Sequence, residues 1–234
     1  MANRPIFLPN LTGKSLVDEK AIDFDWFPGF AISQKQKSIE SLHNKATKAG
    51  ISPILDVSSK SLDPKGAAYS AFRLKVEHSM HGYIPLECAF QGSKVFSDGG
   101  PYNDLYTQKP IDAKRDQRLR QSGTLEGFEF EGTFWKLIPQ SAFYDFLYLN
   151  ALAQKRDLID EILEYAGFSD IEFNPKKSIN CQARSCALTV SLVKRDVFDS
   201  IVSNKKLFLQ FLHEYNYGRA TPSGNQQSAL PFDL

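Results

Sequence analysis

The chain has 234 residues, 42% hydrophobic, 24% charged and 12% aromatic, with 18 Phe, which is the composition of a globular protein with a sizeable core. Its net charge of +1 excludes a global field that would draw the whole molecule onto nucleic acid or acidic lipid, so any polyanion contact must come from a local patch. The three cysteines, Cys88, Cys181 and Cys186, lack metal-ligand spacing and read as reduced core thiols; with no signal-like apolar run and no stretch long enough to cross a bilayer, the chain reads as soluble and cytoplasmic.

Residues 1–31 read as strands and turns, with Ile6-Phe7-Leu8 and the aromatic-rich Ala21 to Phe30 punctuated by Gly13 and Pro28-Gly29. Ser33 is placed to cap a helix through Ala49, with Gly50 as its stop, Ile39 and Leu42 facing inward and Gln34 to Lys37 as a solvated face. Ile51 to Val57 reads as a strand and Ser58 to Lys65 as a polar loop. Tyr69-Ser70-Ala71-Phe72 then leads into a short strand, Arg73 to Val76, and a His81-Gly82 turn.

Pro85 to Phe96 (PLECAFQGSKVF) reads as a helix. At about 100° per residue, Gln91 lies roughly 40° from Glu87 and Lys94 roughly 20° to the other side, so the three share one narrow polar stripe. The rest of the surface, Leu86, Cys88, Ala89, Phe90, Val95 and Phe96, is apolar, the reverse of an ordinary surface helix. The long side chains of Glu87 and Lys94 can close on one small ligand; the structural alternative is a Glu87–Lys94 ion pair on a partly exposed edge.

Ser97 to Asp104 is a loop of turn formers. Lys109 to Gln121 (KPIDAKRDQRLRQ) is the most basic stretch, an exposed helix or loop, or a phosphate-contacting patch in which Lys114, Arg115, Arg118 and Arg120 carry the charge. Gly127 to Trp135 alternates aromatic and acidic residues and reads as a hairpin turning at Gly132. Ser141 caps a long helix that Gly167 ends, with Phe143, Phe146, Leu147, Ile159, Ile162 and Leu163 at helical spacing. Its Asp145 is the one carboxylate among first-turn aromatics, facing solvent unless this helix end meets a site. Asn180 to Arg195 fits a strand by its β-branched residues and a helix by its apolar spacing; Phe198 to Tyr215 reads as a closing helix. Gly218 to Ala229 is almost without apolar residues, which predicts a flexible tail. Within it, Gln227-Ser228-Ala229-Leu230-Pro231-Phe232 resembles the peptide with which bacterial replication proteins bind the sliding clamp; a packed or idle tail is the alternative.

Glu87-Cys-Ala-Phe-Gln91-Gly-Ser-Lys94-Val-Phe96 resembles the signature of the NADAR family, and Tyr69 to Phe72 matches that family's upstream Phe-Ser-Asn-Phe element, with Ala71 standing where the family has asparagine. Gly99-Gly100-Pro101-Tyr102 and Ala142 to Leu152 resemble the subgroup paired with DNA-modifying ADP-ribosyltransferase toxins of the DarT class. The family's late Trp-Gly-x-Gly element has no clear counterpart. The resemblance implies an α+β fold, a mostly helical single domain around a small sheet. Residues 51–216 would be the catalytic domain, 1–50 an extension packed on it, and 217–234 the tail.

The activity implied is N-glycosidase removal of ADP-ribose from guanine in DNA, with the cognate toxin as partner and ADP-ribose as product. Cleaving that bond builds positive character at the anomeric carbon, which Glu87 can stabilise, and a lysine neutral through desolvation can attack that carbon, the role the resemblance supports for Lys94. Gln91, Ser70, Gly100 and Asp145 are expected at the substrate, with Phe72, Tyr102 and Trp135 as base-stacking candidates that core packing could equally claim. The DNA is expected single-stranded or flipped out. No cofactor is expected, and the four histidines are scattered without metal-ligand spacing. Two rivals stay open: a hydrolase of small ribosyl-phosphate metabolites, and a non-catalytic module that binds modified DNA or the toxin.

Overall fold

The computed structural model describes residues 1–176, 178–215 and 217, so the clamp-like peptide lies outside the described residues. The fold is α+β, as expected, but the strands spread over three sheets rather than one. In chain order the elements are β1 (Ala2–Pro9), β2 (Val17–Phe24), α1 (Ile32–Lys48), β3 (Ile54–Asp56), β4 (Lys75–His78), β5 (Gly82–Pro85), α2 (Leu86–Gly92), β6 (Lys94–Phe96) and α3 (Pro110–Arg115). They continue with α4 (Arg118–Gln121), β7 (Leu125–Phe130), β8 (Thr133–Lys136), α5 (Ala142–Ala153), α6 (Arg156–Ile162), β9 (Gly167–Ser169), α7 (Gln182–Lys194), α8 (Phe198–Val202) and α9 (Lys205–Glu214). Residues 1–70 with 155–200 form one compact unit; 71–154 with the described residues from 201 onward form a second. Among the described residues, no helix is long and apolar enough to cross a membrane.

The first unit is built on a four-stranded sheet, order β2-β1-β9-β3, in which β3 and β9 run parallel and the other pairings are antiparallel. Ile6, Ile22 and Phe24 of the sheet pack with Ile39, Leu42 and Ala46 of α1, the two inward positions of that helix being as expected. Each of the Ile, Leu and Phe side chains contributes about 1.5–3 kcal/mol on burial. The helix begins one residue before Ser33, with Ala31 as its N-cap, and Ser33 caps nothing. A polar chain crosses this core. The His43 Nε2 lies 2.8 Å from Ser169 Oγ, and Ser169 Oγ donates to Asp56 Oδ2 at 2.8 Å. Because Ser169 gives its proton to the carboxylate, His43 must donate through Nε2, which fixes its tautomer. Asp56 also accepts from Ser58 Oγ, Ser58 N and Ile171 N, yet burial still pushes its pKa up to about 6. Burial drives His43 the other way, down to about 4.

Two expected helices differ, and one ambiguous stretch is decided. The stretch from Ser141 to Gly167 breaks at Lys155, whose non-helical backbone (φ −136°, ψ 73°) separates α5 from α6. Gly167 ends no helix but opens β9, where a Cβ would sit 2.9 Å from Ile6 and 3.0 Å from Leu8. The ambiguous Asn180 to Arg195 is the helix α7, buried almost throughout, so its periodicity outweighs the β-branched residues. Phe198 to Tyr215 is two helices, with Asn204 accepting from Leu207 N as the N-cap of α9.

The second unit holds the β4–β5 hairpin, the β6-β7-β8 sheet and α2, α3, α4, α5 and α9. The short strand expected at Arg73 to Val76 is shifted to Lys75–His78. The hairpin expected at Gly127 to Trp135 is present: Glu131 and Gly132 both have positive φ, 52° and 66°, the two-residue turn whose twist suits paired strands. An aromatic layer fills the space between sheet and helices, with Phe128 and Phe143 stacked at 4.7 Å and Trp135 at 4.7 Å from Phe146.

Candidate active site

The helix α2 begins where two earlier backbone groups receive it. Leu86 N–H donates to the Leu74 carbonyl at 2.9 Å and Glu87 N–H to the Ala71 carbonyl at 3.0 Å. Two first-turn donors that a helix leaves unpaired are thereby satisfied, and the Ala71-Phe72 segment is tied to the start of α2. All seven residues of α2 are buried, including Glu87 at 6% exposure and Gln91 at 3%. One turn apart, Gln91 Nε2 donates to Glu87 Oε1 at 2.9 Å. Gln91 Oε1 is buried with no hydrogen-bond partner among the described residues.

The expected single helix through Phe96 is corrected here. It stops at Gly92, where Tyr102 N–H takes the Gly92 carbonyl at 2.7 Å and Ser93 turns its hydroxyl back to the Ala89 carbonyl at 2.7 Å. Val95 and Phe96 favour a strand, and Lys94 opens β6 paired with Phe128 of β7. Lys94 therefore reaches the site from a strand and not from the stripe of α2. Nor is the cluster an exposed edge: Lys94 is 2% exposed, its ammonium 5.0 Å from the Phe90 ring centre. Burial lowers the Lys94 pKa to about 8; the Glu87 carboxylate opposes that shift and the Lys114 charge adds to it.

Lys114, expected to meet nucleic-acid phosphate, stands with its ammonium 3.9 Å from Glu87 Oε1 and 5.5 Å over the ring of Phe72. Phe72 is 37% exposed. No local sequence pattern announces that Lys114 meets Glu87, because the pairing is set by α3 packing on α2. Gly100 is also explained. Its φ is +86° and a Cβ there would lie 2.2 Å from the Lys94 carbonyl oxygen, so its bare backbone is what lets the loop press on β6.

Other expected site residues are differently employed. Tyr102 bonds its hydroxyl to Ser122, and the Arg118 guanidinium covers its ring at 4.5 Å. Arg118 is in turn held by Asp104 at 2.7 Å and Asp116 at 2.8 Å, while Arg115 and Arg120 are exposed. Trp135 is buried against Phe143 and Phe146 with Lys205 over its ring at 4.5 Å, so no face is open to a base. Asp145 faces no solvent: it accepts from Ser141 Oγ at 2.7 Å and Tyr217 Oη at 3.1 Å. Ser70 is buried and ends the 3₁₀ turn Gly66–Tyr69, its N–H on the Ala67 carbonyl. Among the described residues, no group of three or more His, Cys, Asp or Glu side chains could hold a metal, and the three cysteines are buried and not joined in a disulfide.

The helix carrying Glu87 and Gln91 is thus followed at once by the strand that carries the buried Lys94. The sequence profile of the DarT1-associated NADAR antitoxins matches residues 2–221, and the chain belongs to that family. Its role is accordingly that of an antitoxin associated with a DarT toxin. Among curated protein sequences, none matches the chain.

Proposed function

We propose that this antitoxin is an N-glycosidase that removes ADP-ribose from guanine bases of DNA. The observation that carries the reading is the buried Lys94 amine, its pKa lowered to about 8 so that a reactive neutral fraction exists at physiological pH, in the cluster that also holds the Glu87 carboxylate. The neutral amine attacks the anomeric carbon of the ribose. The bond from that carbon to the guanine nitrogen breaks with its electron pair going to the base, which leaves with a proton. The ribosyl-lysine opens, its ring oxygen taking a proton, to a Schiff base; water adds to it, expels the Lys94 amine and frees ADP-ribose. The net change is N-glycoside plus water to base plus sugar. Glu87, its Oε1 held by Gln91, supplies negative charge where the anomeric carbon becomes positive. Gln91 Oε1 is an acceptor for a ribose hydroxyl, and half-exposed Phe72 offers a ring for a base. The exposed Arg115 and Arg120 can meet flanking phosphates.

The test is a single-stranded oligonucleotide bearing ADP-ribosyl-guanine, mixed with wild type and with Lys94→Ala and followed by mass spectrometry. Release of ADP-ribose by wild type, loss in the variant, and a borohydride-trapped adduct on Lys94 are expected. Binding of the modified strand without release would leave a non-catalytic module. Turnover of free ADP-ribosyl nucleotides alone would leave a metabolite hydrolase.

A further inference from the structure

An ADP-ribosylated guanine in DNA carries two N-glycosidic bonds, one to the ribose of the modification and one to the deoxyribose of the strand. Both break through positive character at an anomeric carbon, so a carboxylate and an amine such as Glu87 and Lys94 suit either bond. Next to the reacting carbon the two sugars differ in one group, the hydroxyl on C2, which deoxyribose lacks.

Gln91 is placed to read that group. It is 3% exposed and stands one turn of α2 beyond Glu87, with its Nε2 donating to Glu87 Oε1 at 2.9 Å. A carboxylate only accepts, so the amide must present its NH2 to Glu87 and turn its oxygen away. That oxygen, Oε1, is buried and has no hydrogen-bond partner among the described residues. A buried acceptor in this state is disfavoured until a donor reaches it, and the donor has to arrive with whatever enters the site. The amide nitrogen and oxygen share one carbon, so a donor to the oxygen lies close to the carboxylate that faces the anomeric carbon. The C2 hydroxyl, on the carbon bonded to the anomeric one, is the nearest donor a ribose offers there.

We propose that Gln91 is the specificity-determining residue of the site: its Oε1 accepts from the C2 hydroxyl of ribose, so the site takes ribosides and turns away the deoxyribosyl bond of the same nucleotide. This role rests on the glycosidase reading for its consequence in turnover, while its consequence in binding is measured without it. The discrimination is large because of the burial. A site built to bond a hydroxyl rejects the analogue that lacks it far more strongly than an apolar pocket rejects a missing methylene, since the site's own polar group is then left unpaired. Intrinsic reactivity runs the other way: without an electron-withdrawing oxygen on C2, the anomeric carbon becomes positive more readily. A preference for the ribosyl compound therefore reports recognition and not bond strength.

The experiment uses wild type, Gln91→Met and Gln91→Asn. Methionine keeps the length of the side chain and removes the acceptor; asparagine keeps the amide and withdraws it. Calorimetry measures binding of ADP-ribose and of its 2-deoxy and 3-deoxy analogues, altered on the ribose that carries the reacting carbon. Mass spectrometry follows release from oligonucleotides bearing ADP-ribosyl-guanine or its 2-deoxy form. Wild type should bind ADP-ribose roughly tenfold or more tighter than the 2-deoxy analogue, and release it at least about a hundredfold faster. Both ratios should fall towards one in the variants. The wild-type ratios need no substitution, so they decide even where a variant does not fold. Equal handling of the two sugars by wild type, a larger loss with the 3-deoxy analogue, or ratios unchanged in both folded variants overturns the proposal. If wild type releases no ADP-ribose yet binds it in preference to the 2-deoxy analogue, and Gln91→Met loses that preference, the glycosidase reading fails and the hydroxyl-reading role stands. Neither release nor binding overturns both.

Discussion

Gly100→Ala tests how the loop after β6 shapes the site. The glycine holds φ at +86°, a region that costs an alanine about 1–3 kcal/mol. The new Cβ would also fall 2.2 Å from the Lys94 carbonyl oxygen and 3.2 Å from its carbon. An ordinary contact is about 3.5 Å, so the loop or β6 must give by roughly 1 Å, at a further cost of about 1–3 kcal/mol. The destabilisation is thus about 2–6 kcal/mol, and a shift of roughly 1 Å at the nucleophile can cost about a hundredfold in rate. Gly132→Ala supplies the control: φ there is +66°, but nothing lies within 4 Å of its Cβ, so only the backbone term applies. Urea unfolding followed by tryptophan fluorescence gives the stabilities, and release of ADP-ribose gives the rates. Gly100→Ala should fall well below Gly132→Ala in both. Equal midpoints, with Gly100→Ala cleaving like wild type, would refute the argument that this glycine sets the position of Lys94.

Three further outcomes follow from the same geometry. Glu87→Gln keeps a partner for Gln91 but removes the charge: release should fall about 10²–10³-fold, and because Glu87 raises the Lys94 pKa, the remaining acid limb should move to lower pH. Arg115→Ala should lower the salt slope of single-strand binding by about 1 and Arg118→Ala by much less, since two carboxylates already hold Arg118; equal slopes in a fluorescence titration would contradict this. In the first unit, His43 resists protonation from 6.5 down to about 4 and so costs stability as pH falls, whereas Asp56 keeps its proton from 3.8 up to about 6 and costs stability as pH rises. Chemical denaturation between pH 4 and 6.5 should be nearly flat for wild type, while His43→Gln should gain about 3 kcal/mol towards the acid end and Asp56→Asn should lose a similar amount; parallel curves for all three would sink the pairing.

What the sequence made legible is what local chemistry decides. The Glu131-Gly132 hairpin needs two residues at positive φ, and the core face of α1 needs Ile39 and Leu42 a turn apart; both are visible in a short window. The expected helix from Ser141 to Gly167 failed because periodicity continued across Lys155 while the backbone did not. Gly167 looked like a helix stop and is instead a strand residue pressed between Ile6 and Leu8, a contact that only the distant β1 can explain. α7 was undecidable from its residues, because a buried helix and a buried strand are both apolar on most sides.

The site shows the same division at finer grain. Glu87 and Gln91 were correctly placed one turn apart, because that relation lies within one helix. Lys94 was placed by extending the helical stripe, and the stripe ends at Gly92. It nevertheless joins the cluster that includes Glu87, since a strand starting directly after the helix, and paired to Phe128, turns its first side chain inward. The change of element matters for the chemistry. A lysine seven positions along an exposed helix could swing into water, whereas one pinned in a sheet ladder, with Gly100 against its carbonyl, has its backbone fixed and its amine enclosed. The enclosure lowers the pKa, and Lys114, recruited from a stretch that the sequence leaves open between a solvated segment and a phosphate-contacting patch, adds to the same effect from the solvent side. The basic run is thus divided by packing: Lys114 is turned onto the carboxylate, Arg118 is neutralised by Asp104 and Asp116, and Arg115 and Arg120 stay exposed.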